Sequence, residues 1–228
     1  MFQTSANQVC GEREASGMKV LDLGCGKGGW AFGFLDAGFD VIGYDIHDFS
    51  AVYPGKFIQA DLLSFDTFPS ADVVVGSSPC TDFTKSGLPA SWPAVRRFPP
   101  DIKTGVKLFN RFREIALSVS PELWVLENVR KAQDFVGPAK THYGSRYLWG
   151  RFPDFMVPFT GDEYGKWKLP PGPERAAVRS MIPYSLARGM AESMKTAISE
   201  IKLAGEPSPK AQSPTAPPHP PKEVVKTD

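Results

Sequence analysis

The sequence predicts an α/β fold with a doubly wound, mostly parallel sheet between layers of helices. Short apolar runs rich in Val, Ile and Leu recur along the chain, and helix-length stretches separate them. Apolar runs of about four to eight residues, bounded by Gly, Pro or Asp, are typical of strands buried on both faces. Strands that alternate with helices favour a parallel sheet over an antiparallel one.

The predicted elements follow one another from Met18 onward, and no internal repeat is visible. The runs that predict strands are Met18–Leu23, Asp40–Ile46, Lys56–Ala60, Ala71–Gly76, Leu123–Leu126 and, more weakly, Tyr147–Trp149 and Phe155–Phe159. Helices are predicted over Gly29–Ala37, Ile102–Val119 and Pro183–Leu203. The last helix has a proline near its first turn and Gly205 at its end. Proline is frequent at the start of helices and glycine just after their end.

The chain of 228 residues divides into one predicted domain and two appendages. Residues 1–16 are polar and lack periodicity, which predicts a loose N-terminal lead-in. Residues 205–228 hold 7 of the 22 prolines and no aromatic residue. Such a segment cannot bury enough apolar surface to offset its chain entropy. We therefore expect a disordered proline-rich tail at residues 205–228 and a single domain over residues 17–204.

The composition excludes several classes of protein. With 42% hydrophobic residues, 22% charged residues and a net charge of +1, the chain is neither a highly charged disordered protein nor a collagen-like repeat. No apolar run approaches the roughly 18–20 residues that span a bilayer, so we expect no membrane association. The N-terminus lacks a signal pattern, which predicts a cytoplasmic protein. The three cysteines show no CxxC spacing, so neither a disulfide framework nor a metal site is expected.

A glycine-rich loop follows the first predicted strand, within the segment Val20–Trp30 (VLDLGCGKGGW). Gly24, Gly26 and Gly28 permit positive φ angles and let the backbone approach a ligand closely. The spacing excludes a P-loop and disfavours a dinucleotide-binding fingerprint. Taken alone, such a loop is equally compatible with a tight turn between a strand and a helix.

Acidic residues end the next two predicted strands. Asp45 lies about 20 residues beyond the loop, where a carboxylate can bind ribose hydroxyls. Asp61 follows the third strand, which places a second carboxylate near an adenine amino group. The carboxyl ends of parallel strands share one edge of a sheet, so these residues predict a nucleotide-like cofactor site there. The ordered set resembles the class I S-adenosylmethionine-dependent methyltransferases, whose first motif, D-x-G-x-G-x-G, is matched from Asp22 to Gly28.

Reactive residue types end the fourth and fifth predicted strands. Pro79 ends the fourth strand and directs Cys80 toward the same sheet edge. Glu127 and Asn128 end the fifth strand, where a buried carboxylate is costly unless it has a partner or a task. We expect Asn128 to brace the loop that carries Cys80. Most free cysteines are inert buried side chains, and we interpret the other two cysteines in that way.

These motifs resemble the cytosine-C5 DNA methyltransferases, whose order they follow from Met18 to Val129. Of the family's Gln-x-Arg-x-Arg motif, only the last arginine is matched, by Arg146. The segment Ile182–Ala187 (IPYSLA) resembles the closing motif of the family, with Arg179 and Ser180 where Gly-Asn is usual. That departure touches the end of the site that holds the methionine part of the cofactor.

The resemblance implies a mechanism and a set of cofactor-binding residues. Cys80 would add to C6 of cytosine, from a strand end where its pKa can be lowered. Glu127 would hold N3 and the exocyclic amine, and Arg146 would contact O2. The base must be flipped out of a duplex or already be single-stranded. The residues expected to bind S-adenosyl-L-methionine are Asp22, Gly24, Cys25, Gly26, Gly28, Trp30, Asp45, Ile46, Asp61, Leu62, Pro79 and Ser180.

The expected partner of the protein is DNA. Seven basic residues and one acid lie between Lys85 and Arg113, directly after Cys80. A basic stretch beside a cleft that admits a base predicts phosphate contacts, although a solvated helix face has the same composition. The residues expected to contact the nucleic acid are Lys85, Arg96, Arg97 and Lys103.

The segment expected to recognise a DNA sequence is short. Only about 20 residues, 158–179, lie where the usual members of the family carry a much longer target-recognition domain. We therefore expect a minimal, phage-like cytosine-C5 DNA methyltransferase, a monomer with short or weak sequence specificity. The alternatives are an RNA or nucleotide cytosine C5-methyltransferase, and a catalytically silent protein that binds the cofactor or nucleic acid.

Overall fold

The computed structural model describes residues 17–86, 88–97, 99–157 and 180–205. The predicted lead-in (1–16), the predicted recognition insert (158–179) and the predicted tail beyond Gly205 lie outside these residues. Gly205 ends the last helix in the left-handed conformation, with a φ of 65°. A glycine takes this conformation without strain, which agrees with the predicted helix end.

Seven strands form one sheet in the order β3-β2-β1-β4-β5-β7-β6. They are β1 (Lys19–Leu23), β2 (Asp40–Asp45), β3 (Lys56–Gln59), β4 (Val73–Ser77), β5 (Leu123–Asn128), β6 (Thr141–Tyr143) and β7 (Arg146–Arg151). Strands β1 to β5 are parallel, whereas β7 runs antiparallel to β5 and to β6. The chain order reverses between β1 and β4. The predicted doubly wound, mostly parallel sheet is confirmed.

The helices of the described residues lie between and after the strands. They are α1 (Gly29–Asp36), α2 (Thr81–Lys85), α3 (Pro93–Arg97), α4 (Ile102–Val119), α5 (Gln133–Val136) and α6 (Tyr184–Ala204). The amphipathic helix α4 is capped by Asp101, whose side chain accepts a hydrogen bond from the Thr104 N–H. This N-cap satisfies one of the backbone donors that a helix start leaves without a partner.

Helices cover both faces of the sheet. Because successive side chains of a strand point to opposite faces, Val20 packs in one core layer and Leu21 in the other. The first layer buries Phe34 of α1 and Met190 of α6, and the second buries Phe112 of α4. Each such side chain contributes about 1.5–3 kcal/mol when fully buried. With both faces covered, the edges of the sheet are the places where a site can open.

Two features of the chain after β5 differ from the prediction. The strand predicted over Phe155–Phe159 is wrong for residues 155–157, which form no regular structure, and residues 158–159 lie outside the described ranges. Phe155 instead packs its ring against Phe152 at 6.3 Å between centroids, so its apolar character serves core packing. Strand β6 was not predicted, because three residues are too few to show a period.

The connections after β2 and β3 contain no helix, although an alternation of strands and helices was predicted. The second connection is held in place by Arg111 of α4 instead. Its Nε donates to the Leu62 carbonyl at 3.0 Å, its Nη2 donates to the Phe65 carbonyl at 3.0 Å, and the guanidinium pairs with Asp66. An arginine thus satisfies the carbonyl groups that a helix would have satisfied internally.

Candidate active site

The glycine loop turns sharply from β1 into α1. Gly24, Gly26 and Gly28 have φ angles of 64°, 49° and 91°, all in the region that favours glycine. The N–H groups of Gly24 and Cys25 donate to the Tyr44 carbonyl at 2.9 and 3.1 Å, which ties the loop to β2. A Cβ added at Gly24 would lie 2.8 Å from the Ser77 carbonyl oxygen. Glycine is therefore required there by both conformation and space.

The two predicted acids lie at the same edge of the sheet as the loop. Asp45 accepts hydrogen bonds from the Gly26 and His47 N–H groups, each at 3.0 Å. Asp61 accepts from the Leu63 N–H at 3.0 Å. The backbone N–H groups hold each acid in place. Because a carboxylate oxygen has two lone pairs, each acid can still accept a hydrogen bond from a ligand hydroxyl or amine.

A cavity of about 500 Å³ opens at this edge. Its volume suits a small-molecule or cofactor site. Ten predicted cofactor-binding residues line it: Gly24, Cys25, Gly26, Trp30, Asp45, Ile46, Asp61, Leu62, Pro79 and Ser180. The three predicted catalytic residues, Cys80, Glu127 and Arg146, line it as well. The structure therefore brings the two predicted groups into a single cavity.

Gly28 and Asp22 are the predicted cofactor-binding residues that do not line the cavity. Gly28 faces Pro54, because a Cβ added there would lie 2.5 Å from the Pro54 Cδ. The Asp22 carboxylate is fully buried on β1, where its Oδ2 accepts from the Tyr53 hydroxyl at 3.1 Å. Burial raises the pKa of Asp22 from 3.8 to about 7. In this structure Asp22 belongs to the interior beneath the loop.

We expect Asp22→Asn to stabilise the fold at and above neutral pH. The folded carboxyl ionises near pH 7 and the unfolded one near 3.8, so the folded state binds more protons between these values. Stability therefore falls as the pH rises through that window. Asparagine still accepts from Tyr53 and cannot ionise, so the free energy of unfolding should rise by up to about 4 kcal/mol at about pH 8. Urea unfolding of both proteins across the window measures this, and parallel pH profiles would contradict it.

Several residues that line the cavity were not predicted from the sequence. They are Lys27, Gly29, His47, Phe49, Ala60, Leu63, Ser77, Ser78, Thr104, Leu108, Phe112, Met181 and Ile182. The sequence around Phe49 could have indicated its role, because an aromatic residue soon after the acid that ends β2 can form an apolar wall of a cofactor site. Leu108 and Phe112 come from the apolar face of α4, which sequence periodicity assigns to the core. Only the tertiary packing shows that this face also reaches the site.

The loop that carries Cys80 is braced by Asn128, as expected. The Asn128 side-chain amide donates to the Ser78 carbonyl at 3.0 Å and to the Ser78 hydroxyl at 2.9 Å. Its Oδ1 accepts from the Val129 N–H at 2.8 Å. Because Asn128 is completely buried, these bonds hold the residues before Cys80 in one conformation.

Glu127 and Arg146 form a buried ion pair beside Cys80. Strand β7 runs antiparallel to β5, so its first residue, Arg146, reaches the edge at which β5 ends. The Arg146 Nη1 donates to the Glu127 Oε1 at 3.3 Å, and the two side chains are 11% and 5% exposed. The same guanidinium donates to the Ser180 and Met181 carbonyls, at 3.4 and 2.7 Å. Arg146 thus joins the carboxylate to the chain segment that precedes α6.

The electrostatics of this group differ from the prediction for the thiol. Burial raises the pKa of Cys80, the Glu127 carboxylate raises it further, and Arg146 opposes the rise. The prediction that a strand end lowers this pKa is therefore wrong here, and the resting side chain is a thiol. Burial also raises the pKa of Glu127, against the opposing effects of Arg146 and the Ser77 hydroxyl. Desolvation disfavours both charged forms.

The predicted phosphate contacts lie outside the lining of the cavity, on the elements that follow Cys80. Lys85 belongs to α2, Arg96 and Arg97 end α3, and Lys103 lies in the first turn of α4. Arg96, Arg97 and Lys103 are exposed. Fewer basic side chains are available to phosphates than the composition indicated. Arg111 holds the loop after β3, and Arg113 donates to Asn110 and lies over the Phe109 ring.

Neither a metal centre nor a membrane span is found among the residues that the structure describes. In these ranges, no group of three or more His, Cys, Asp or Glu side chains is arranged to hold an ion. In the same ranges, no helix combines the length and the apolar composition that crossing a membrane requires.

The fold and the cavity together define a class of protein. A Rossmann-like sheet with a glycine loop and two acids at its carboxyl edge is the architecture of a class I methyltransferase. The model of the family described as C-5 cytosine-specific DNA methylase matches residues 18–137, just over half of the chain. The chain belongs to this family. The matched residues include Cys80 and Glu127 and end before Arg146.

Two relatives and one solved structure are each similar to about half of this chain. Type II methyltransferase M.AplI of Arthrospira platensis is 32% identical over 121 residues, covering 50% of this chain and 32% of the relative. Type II methyltransferase M.HgiGI of Herpetosiphon aurantiacus is 29% identical over 130 residues, covering 51% of this chain and 94% of the relative. The chain thus spans about a third of the length of M.AplI. The crystal structure of TrmN from Thermus thermophilus shares 19% identity at a TM-score of 0.36, over 53% of this chain and 35% of that one.

Proposed function

We propose that this protein transfers a methyl group from S-adenosyl-L-methionine to C5 of cytosine in DNA, through a covalent adduct with Cys80. The observation that carries the proposal is the meeting of Cys80, Glu127 and Arg146 on one cofactor-sized cavity. A half-buried nucleophile, a buried carboxyl group and a half-buried cation beside a cofactor site are a recurrent arrangement for covalent catalysis. Membership of the family supplies the reaction type.

The lining of the cavity fits the proposed cofactor. At Gly26, which lines the cavity, the position of a Cβ is open space with no protein atom beyond its chain neighbours within 4 Å, so the backbone can approach the ligand closely. The carboxylates of Asp45 and Asp61, held by backbone N–H groups, would accept from ribose hydroxyls and from the adenine amino group. Trp30 and Phe49 offer apolar walls. When bound, S-adenosyl-L-methionine supplies an electrophilic methyl group.

Cys80 would act as the nucleophile. Its thiol loses a proton, and the new S–C6 bond converts the cytosine ring into an enamine whose C5 can accept a methyl group. The C5 proton then leaves to a base, and breaking the S–C6 bond restores the aromatic ring and the cysteine. Because burial and the Glu127 carboxylate raise the pKa of Cys80, the thiol has to lose its proton as the S–C6 bond forms.

Glu127 and Arg146 would hold the cytosine ring. A carboxyl group with a raised pKa can donate a hydrogen to N3 and accept one from the exocyclic amine. Such contacts stabilise the charge that develops on the ring when sulfur adds to C6. Arg146 lies within hydrogen-bonding distance of Glu127, so it is placed to orient that carboxyl group, and by the family resemblance it would contact O2 of the base.

DNA would be held by the basic side chains that follow Cys80. Arg96, Arg97 and Lys103 are exposed on α3 and on the first turn of α4, so phosphates can reach them. Such contacts position a nucleic acid without selecting its sequence. A short or weak sequence target is part of the proposal, and it depends on the recognition insert at residues 158–179, outside the described ranges.

We expect reversal of Arg96 and Arg97 to Glu to weaken DNA binding. Each lost phosphate contact reduces the number of counterions released on binding. The slope of the logarithm of the affinity against the logarithm of the salt concentration should therefore become shallower by roughly one for each contact. The matched control replaces Lys19 and Lys56 with Glu and so reverses the same number of charges. These lysines begin β1 and β3, at the opposite edge of the sheet. Fluorescence anisotropy across a salt series measures the DNA affinity of both variants. An unchanged slope for the Arg96 and Arg97 variant would assign these residues to a solvated helix face.

A direct assay tests the proposed function. The protein is incubated with a methyl-labelled donor and either duplex DNA, single-stranded DNA or RNA, and the digested nucleosides are separated by mass spectrometry. Labelled 5-methylcytosine in DNA is the expected product. Faster transfer to RNA would overturn the choice of substrate, and transfer to none of them would favour a catalytically silent binding protein.

A further inference from the structure

Ser77, the last residue of β4, contacts both the cofactor side and the catalytic side of the cavity. In the parallel pairing of β4 with β5, Ser77 lies directly opposite Glu127. Opposed residues of a strand pair carry their side chains on the same face, so the Ser77 hydroxyl neighbours the Glu127 carboxyl group and lowers its pKa. From the other side, the Trp30 Nε1 donates to the Ser77 Oγ at 3.1 Å. All three residues line the cavity.

The chemistry of the three groups decides which of them can donate a hydrogen bond and which can accept one. The indole N–H of Trp30 can only donate, so it occupies a lone pair of the Ser77 oxygen. The single hydroxyl proton of Ser77 is then available for the carboxylate. Trp30 itself is 2% exposed and packs edge-on against Phe34, so the indole is held in place. The Glu127 carboxylate accepts from Arg146 on one side and has the Ser77 hydroxyl as its neighbour across the strand pair.

We propose that Ser77 is a positioning residue for the methyl-transfer reaction, which holds the Glu127 carboxyl group in the orientation that meets the cytosine ring. The inference rests on the proposed function, because it assigns Ser77 to the same reaction. It also gives Trp30 a second role. At the first turn of α1 the indole lines the cofactor cavity, and through Ser77 it fixes a group on the base-binding side.

Removing the hydroxyl has a defined consequence for Glu127. The charged and titratable groups around it are Arg146 on β7 and Cys80 after β4, with Asp82 of α2 next to Cys80. Ser77→Ala leaves these groups in place and takes one donor from the ionised carboxylate. Because that donor stabilises the charged form, the pKa of Glu127 should rise. Loss of one hydrogen bond to a charged group should also lower kcat by about tenfold.

A titration of the free protein tests the inference. Glutamate labelled with carbon-13 at its carboxyl group is followed by NMR, and the Glu127 resonance is assigned by its absence in Glu127→Gln. Ser77→Ala should titrate at higher pH than the wild type, and Ser77→Thr, which keeps a hydroxyl, should titrate as the wild type does. Thermal melts of both variants establish that they fold. A Ser77→Ala midpoint equal to the wild-type midpoint overturns the inference.

A single-turnover methylation assay separates this inference from the proposed function. A wild-type protein that methylates cytosine, with Ser77→Ala about tenfold slower at an unchanged KM for DNA, supports both. If Ser77→Ala reacts at the wild-type rate, the inference fails and the proposed function stands. If the wild type methylates no nucleic acid, the proposed function fails, whereas the titration still decides whether Ser77 holds Glu127.

Discussion

Cys80→Ala is expected to abolish both methyl transfer and the covalent complex with DNA that contains 5-fluorocytosine. A fluorine at C5 cannot leave as a proton does, so a protein that has added to C6 and methylated C5 stays attached through its S–C6 bond. Alanine has no sulfur, so this bond cannot form and C5 is never activated. Removal of a nucleophile should lower the rate by at least about 10³-fold.

The adduct is measured on a denaturing gel with a labelled donor. The matched control is Cys10→Ala, which changes a cysteine that precedes the family-matched residues 18–137 and should give the wild-type amount of adduct. Cys80→Ser is a second variant, since it keeps the size and polarity of the side chain and should also give no adduct. A complex that persists in Cys80→Ala would refute the proposed mechanism.

Much of the fold and the site could be predicted because each functional group follows its own strand along the chain. Asp45, Asp61, Cys80 and Glu127 each lie at or just beyond the end of a parallel strand. A parallel sheet brings such ends to one edge whatever the lengths of the connections. The placement of these residues at one edge therefore needed only the strands in chain order, which local apolar runs encode, whereas their roles came from the resemblance to the family.

Features that depend on distant contacts could not be predicted in this way. Trp30 and Ser77 are 47 residues apart in sequence, and neither residue type indicates a hydrogen bond between them. The raised pKa of Cys80 depends on burial and on the approach of Glu127, which follows from the packing of β4 against β5. Arg111 was counted as a basic surface residue, because only the path of the loop after β3 shows what it binds.

Arg146→Ala is expected to destabilise the fold and to weaken cofactor binding together. The change leaves Glu127, which is 5% exposed, without its cation, and it removes the donor to the Ser180 and Met181 carbonyls. Breaking a buried ion pair on one side costs about 3–5 kcal/mol. Since Ser180 and Met181 line the cavity, loss of their anchor should also raise the Kd for S-adenosyl-L-methionine, by about tenfold for one lost charged hydrogen bond.

The loss of stability in Arg146→Ala should depend on pH. Without Arg146, burial raises the pKa of Glu127 further, so the folded carboxyl stays protonated to higher pH than the unfolded one. The folded state then binds more protons above the unfolded pKa of 4.5, and stability falls as the pH rises from there. The variant should therefore approach the wild type in acid and lose most stability in alkali.

Urea unfolding and calorimetric titration of the cofactor test these expectations. The matched control is Arg188→Ala, because Arg188 forms a surface pair with Glu192 one helical turn away and should cost about 0.5 kcal/mol or less. Arg146→Lys separates the two roles of the guanidinium. An ammonium can neutralise Glu127, but it lacks the planar fork that donates in several fixed directions. We expect Lys to recover most of the stability and little of the cofactor affinity; equal recovery of both would show that charge alone is what Arg146 contributes.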